Sequence, residues 1–148
     1  VEKKIVNLDD QRKAVDITVG GKTFTIARVT GRVRDSIAQY QLRAIDLYSQ
    51  TQEYINTIEK SVDPSLSFEE NSKRLRDITE GFQDKSQAGQ SVVNELLHVA
   101  IKAILDANNY EVDRDFWDNL DESLPIEFVK AVQDKDQPSE EVKKKVRR

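Results

Sequence analysis

The sequence predicts a mainly α protein: an N-terminal β-hairpin, then a bundle of long amphipathic helices, then a short C-terminal helical segment. Three observations carry that reading. Gly20-Gly21 separates two alternating runs rich in β-branched residues. Apolar residues then recur every three or four positions from Val33 to Val62, with no Gly or Pro between them. A further apolar run at 92–105, VVNELLHVAIKAIL, has helical periodicity as well.

The hairpin is expected over about 14–28, AVDITVGGKTFTIAR. With the glycines as a two-residue loop, Val19 faces Lys22, Ile17 faces Phe24 and Val15 faces Ile26. One face then holds Val15, Ile17, Val19, Phe24 and Ile26, and the other Asp16, Thr18, Thr23 and Thr25. A slip of one residue would mix the faces, so the pattern itself selects the register. A lone hairpin is only marginally stable. Its apolar face must meet a helix or a strand of another subunit, which makes Val15, Ile17, Phe24 and Ile26 candidates for self-association.

A long helix is predicted over 31–62, with Thr30 as N-cap. Its stripe reads Val33, Ile37, Tyr40, Ala44, Leu47, Thr51, Ile55, Ile58 and Val62. A helix of this length, roughly 45 Å at the standard rise, is too long for one hairpin to cover and needs another helix. DPSLS at 63–67 links it to a second helix over 67–81, opened by the capping box Ser67-Phe-Glu-Glu70. Gly81 is expected to end or bend that helix, and QDKSQAGQ at 83–90 to be flexible. A third helix is predicted over 90–107 and has the widest apolar stripe, with Asn108-Asn109 as its stop signal. A short helix over 113–120 carries Phe116, Trp117 and Leu120. A last helix over 124–134 follows Ser123, with Pro125 in its first turn, where a missing N–H costs little. Ile126, Val129 and Val132 are read as facing one way and Phe128 as lying to the side.

The length of 148 residues is that of one domain, placed at 1–134, with a charged flexible tail at 135–148. The chain is 37% hydrophobic and 34% charged, so its core is thin for its size. It has no Cys, so neither disulfides nor thiolate metal sites enter. VEKKIVNLDD has no apolar run after its lysines, which predicts no signal peptide. The 92–105 run is too short and too interrupted to cross a bilayer, so no membrane partner is expected.

Chemistry is scarce in this chain. His98, between Leu97 and Val99, lacks neighbouring ligands and reads as a helix histidine with a satisfied hydrogen bond. Asp106, Asn108 and Asp113 fail as a calcium loop, because Tyr110 and Glu111 stand where an oxygen ligand and the turn Gly belong. No phosphate-binding glycine motif and no Ser-His-acid or Cys signature is present, so an enzyme is the least favoured class. Arg28, Arg32 and Arg34 cluster where the hairpin meets the first helix, either as a solvated basic edge or as contacts to phosphate or an acidic partner. The net charge of −4 argues against general nucleic-acid binding. Segment 106–122 holds seven acids against Arg114 alone, with Phe116 and the single Trp, Trp117, among them. Those rings are either anchors folded onto the long helices or a recognition face.

VGGKTFTIARVTGRV leading into long helices, a helix ending ILDANN, and YEVDRDFWDNLDESLPIEFVKAV after it together resemble the tail assembly chaperones of siphovirus-type bacteriophages. Residues 99–134 carry the resemblance most strongly. It implies a non-enzymatic helical protein, without cofactor or metal, acting in the host cytoplasm. Such a protein coats the tape-measure protein, keeps it in solution and helps the tail-tube protein polymerise around it. Further copies of the same chain are expected partners. Ile37, Tyr40, Ala44 and Leu47 are then candidate contacts to the client, with Phe116, Trp117 and Phe128 beside them. The family also commonly makes a longer frameshift product, for which the codons of Lys143-Lys144-Lys145 are a candidate slippery run. Two other readings stand beside this one. One is a structural virion part, such as a head–tail connector or tail-completion protein. The other is a regulatory nucleic-acid binder using Arg28, Arg32, Arg34 and the basic VKKKVRR end.

Overall fold

The computed structural model describes residues 13–136. The N-terminal segment and the tail from 137 onward, including the lysine run, lie outside the described residues. Six elements follow in order: β1 Val15–Val19, β2 Lys22–Ile26, α1 Gly31–Ser61, α2 Phe68–Ala107, α3 Arg114–Asp118 and α4 Ser123–Asp136. The chain is mainly helical with an N-terminal hairpin, as the sequence predicts. Its described residues fall into two compact units: 13–37 with 98–136, and 38–97. The chain passes from one unit to the other within α1 and again within α2.

In the first unit, β1 and β2 pair antiparallel with Val15 opposite Ile26, Ile17 opposite Phe24 and Val19 opposite Lys22, the register read from the alternation. Gly20 and Gly21 take φ of 57° and 79°, the left-handed pair that a tight two-residue hairpin requires. Gly20 is needed for a second reason: a Cβ there would sit 2.7 Å from Leu120 Cδ2 and 3.0 Å from Phe116 Cζ. On the wet face the Thr18 and Thr23 hydroxyls lie 2.8 Å apart, and Thr25 Oγ1 donates to Asp16 Oδ1 at 2.7 Å.

The dry face does not wait for another subunit. Phe24 is 2% exposed and Ile26 0%. The Phe24 ring lies edge-on to Tyr110 and stacks beside Trp117, with centroid distances of 5.1 and 5.8 Å, and Phe128 closes the cluster at 5.7 Å. Val29, Val33 and Ile37 from the loop and first turns of α1, Ile101 and Ile104 from the end of α2, and Val129 and Val132 from α4 complete the core. Phe24 and Ile26 are therefore corrected from self-association candidates to core. Val15 and Ile17, half-buried, flank them.

Asn108, just past α2, ties this core together. Its Oδ1 accepts from the N–H groups of Ala27 and Arg28, both at 2.9 Å, and its Nδ2 donates to the carbonyls of Arg28 and Ile104. Asn109 adopts φ 63°, and Tyr110 N–H returns to the Leu105 carbonyl, an αL helix stop of Schellman type. The Tyr110 hydroxyl then accepts from Thr25 N–H at 2.8 Å and covers that edge of β2.

The second unit is a helical hairpin. Its first helix starts back in the first unit, where Thr30 Oγ1 accepts from Val33 N–H as predicted. The capping box of α2 is formed in both directions, Glu70 N–H to Ser67 Oγ and Ser67 N–H to Glu70 Oε2. Between the helices, Asp63 Oδ1 accepts from the Ser65 N–H and hydroxyl, which hold its carboxyl below the usual carboxylate range.

Four expectations are corrected here. Helices expected at 67–81 and 90–107 are one 40-residue helix, and neither Gly81 nor 83–90 interrupts it. QDKSQAGQ looks like a linker because the seam there is built of small residues. Ser86 and Gly89 face inward, and a Cβ on Gly89 would stand 3.0 Å from Leu47 Cδ1. The α1 stripe also shifts by one residue. Tyr40, Ala44, Leu47, Thr51, Tyr54, Ile58 and Ser61 are buried or half-buried at a 3.5-residue repeat, whereas Ile55 and Val62 are 42% and 52% exposed. Thr51, the polar interruption, donates to the Leu47 carbonyl at 2.9 Å. In α4, Phe128 joins Val129 and Val132 inside, while Ile126 is 46% exposed. That helix also starts one residue earlier and ends two later than expected, so Lys135 and Asp136 belong to it and not to a tail.

Candidate functional site

The sequence-predicted contact residues divide sharply. Ile37 and Tyr40 are 4% and 9% exposed, and burial pushes the Tyr40 phenol above its ordinary pKa. Trp117 and Phe128 are 3% and 2% exposed, with centroids 4.9 Å apart. These four are core, not contacts to a partner. Phe116 is half-buried, with its ring under Lys22 Nζ at 4.7 Å and against the Gly20 turn. The acidic segment is thus held by its rings, and its acids stay wet. Asp118 also places its carboxylate 3.2 Å from His98 Nε2 and 3.6 Å from Arg114 Nε. Trp117 Nε1 has no acceptor among the described residues. Arg28, Arg32 and Arg34 are all exposed.

Of the predicted contacts on α1, Ala44 and Leu47 are half-buried, and Leu47 opens onto a groove in the second unit. The groove has a volume of about 880 Å³ and lies between α1 and α2. Its floor is apolar: Leu47 and Tyr54 from α1, and Ile78, Phe82, Val92 and Val93 from α2. Tyr54 and Phe82 stack face to face, centroids 4.0 Å apart at 6°, and the Tyr54 hydroxyl bonds Thr79 Oγ1 at 2.9 Å. Gly81, Ala88 and Gly89 keep the α2 wall low. Arg43, Asp46, Glu53, Asp77 and Lys85 form a rim of both signs. From Arg43 to Thr57 the groove follows α1 for roughly 21 Å, four turns of helix.

An apolar floor, a mixed-charge rim and this length suit the apolar face of an amphipathic helix laid along the hairpin. Tyr54 and the small residues Gly81, Ala88 and Gly89 were missed in the sequence. For Gly81 and Ala88 a signal exists in the helical spacing of Gly81, Lys85, Ala88 and Val92, at four, three and four positions. Among the described residues no group of three or more His, Asp and Glu side chains is placed to hold a metal ion. None of their helices is long and apolar enough to cross a membrane. No protein-family model matches the sequence, and no curated protein or solved structure matches it.

Proposed function

We propose that this chain is a non-catalytic assembly chaperone of siphovirus-type tails, which captures amphipathic helices of the tape-measure protein in the host cytoplasm and hands them to the assembling tail-tube protein. The observation that carries this reading is the open groove between α1 and α2. A helical client exposes apolar stripes before assembly, and a trough four turns long with a greasy floor covers one such stripe. The mixed rim lets charged flanks of many client segments pair without demanding one sequence, which suits a protein that must coat a long chain. Low-walled positions at Gly81 and Ala88 admit side chains of different size.

Co-expression with the tape-measure protein tests the proposal. The client is expected to aggregate alone and to stay in solution with this chain. Ala88→Arg, which plugs the groove from an exposed position, should abolish that rescue while leaving the helical circular dichroism unchanged. Unchanged solubility of the full-length client and of its helical fragments rejects the chaperone. Stoichiometric recovery of the chain in purified virions favours the connector or tail-completion reading instead.

A further inference from the structure

The groove between α1 and α2 repeats itself. On α1, Asp46 recurs seven residues on as Glu53, and Leu47 as Tyr54. On α2, Gly81 recurs seven residues on as Ala88, and Phe82 as Gly89. The contacts across the seam keep step. Leu47 Cδ1 stands 3.0 Å from where a Cβ on Gly89 would lie, and the Tyr54 ring stacks on Phe82 at 4.0 Å. These antiparallel pairs bring Asp46 within two residues of the level of Ala88, and Glu53 within two residues of the level of Gly81. The trough therefore holds two like units, about 10 Å apart, one heptad at the standard rise. Each unit has an acid on the α1 lip and a gap in the α2 lip. A Cβ on Gly81 meets nothing within 4 Å, and Ala88 is exposed. Lys85 stands between the two gaps, and Arg43 and Asp77 lie at the two ends, beyond the units.

A partner that matches both units must itself repeat every seven residues, the pattern of a coiled-coil helix. The charges that would meet it are unspent. Asp46, Glu53 and Lys85 are exposed and make no ion pair among the described residues. We infer that the segment held here is a heptad-repeat helix of defined charge order. It carries Lys or Arg at the same position of successive heptads on the flank toward α1, opposite Asp46 and Glu53. It carries an acid on the other flank, opposite Lys85, and large apolar side chains seven positions apart above Gly81 and Ala88. The inference rests on the client-capture reading and narrows it: the groove selects a period and an order of charge, not a sequence. Charges beside an apolar seam set partner choice and orientation in helical assemblies. Reversing a helix in a trough exchanges its two flanks. A client with a basic flank and an acidic flank is therefore held in one direction.

Two fluorescein-labelled peptides of four heptads test this, each used below the concentration at which it self-associates. They share one Leu stripe and one composition. The first has Lys at every e position and Glu at every g position. In the second, Lys and Glu change places in alternate heptads, so no flank keeps one sign. Fluorescence anisotropy should show the first peptide binding about fivefold more tightly in low salt. The difference should close in about 1 M NaCl, where the charges are screened. Asp46→Asn combined with Glu53→Gln should remove the difference and leave binding through the Leu stripe. Ala88→Arg should weaken both peptides. Equal affinities, no binding of either peptide, a preference that survives the Asp46→Asn and Glu53→Gln pair, or undiminished binding to the Ala88→Arg chain overturns the inference. Client capture is judged apart from it. Equal peptide affinities together with loss of tape-measure rescue in Ala88→Arg would leave the groove as the client site and remove only its selection of heptads.

Discussion

The two units solve the problem of burial differently. In the first, a hairpin layer closes over helix ends, and Phe24, Ile26, Ile104, Phe128 and Val132 are all almost fully covered. In the second, two helices form a single layer. Among the described residues there, only Tyr40, Val93 and Leu97 are buried, while Leu42, Ile45, Tyr48, Phe68 and Val92 are exposed. A stable domain packs at least two layers around its core. The first unit contains both layers within the chain. The second has one, and it leaves apolar surface uncovered. Burial is concentrated in the aromatic cluster, and uncovered apolar surface in the thin helical hairpin.

Substitutions sharpen that contrast. Trp117→Ala removes the ring stacked on Phe24 and packed against Phe128, and should destabilise the chain by about 3–5 kcal/mol in denaturant unfolding. Ile78→Ala, in the half-buried seam of the second unit, should cost less, about 1–2 kcal/mol. Comparable losses at the two sites would erase the distinction. Asn108→Ala should cost about 1–2 kcal/mol, because it frees the Ala27 and Arg28 amides and loosens the turn into α1. Asn108→Asp, which keeps the acceptor, should recover part of that loss. The smallest effect has the opposite sign. A Cβ on Gly81 meets nothing within 4 Å, so Gly81→Ala should stabilise α2 by about 0.5–1 kcal/mol through helix propensity. A loss of stability there would mean that the groove wall is more tightly filled than its geometry indicates.

Much of this architecture is legible in the residues themselves. The hairpin register follows from strict alternation around Gly20-Gly21, since a pleated strand has no other way to sort its faces. Thr30 and the Ser67–Glu70 box mark two helix starts because unsatisfied first-turn amides need those side chains. The continuity of α2 is not legible, because the half-buried Ser86 and Gly89 carry no apolar signal, although Gly89 lets Leu47 approach closely. The shift from Ile55 to Tyr54 is a matter of 3.5 against 3.6 residues per turn, which accumulates over seven turns of α1.

The site was only partly readable for a different reason. Ile37, Tyr40, Trp117 and Phe128 look the same in sequence whether a neighbouring helix of the same chain or a partner covers them. Only the fold distinguishes the two cases, and it covers all four internally. Leu47 alone among the expected contacts opens onto the groove.

Amide hydrogen exchange tests the contrast between the units most directly, because it reports local opening residue by residue. Amides at Ile101–Leu105 should be strongly protected, while those of α1 from Leu42 to Val62 should exchange faster. Equal protection of both segments would contradict the account and show a second unit already complete by itself.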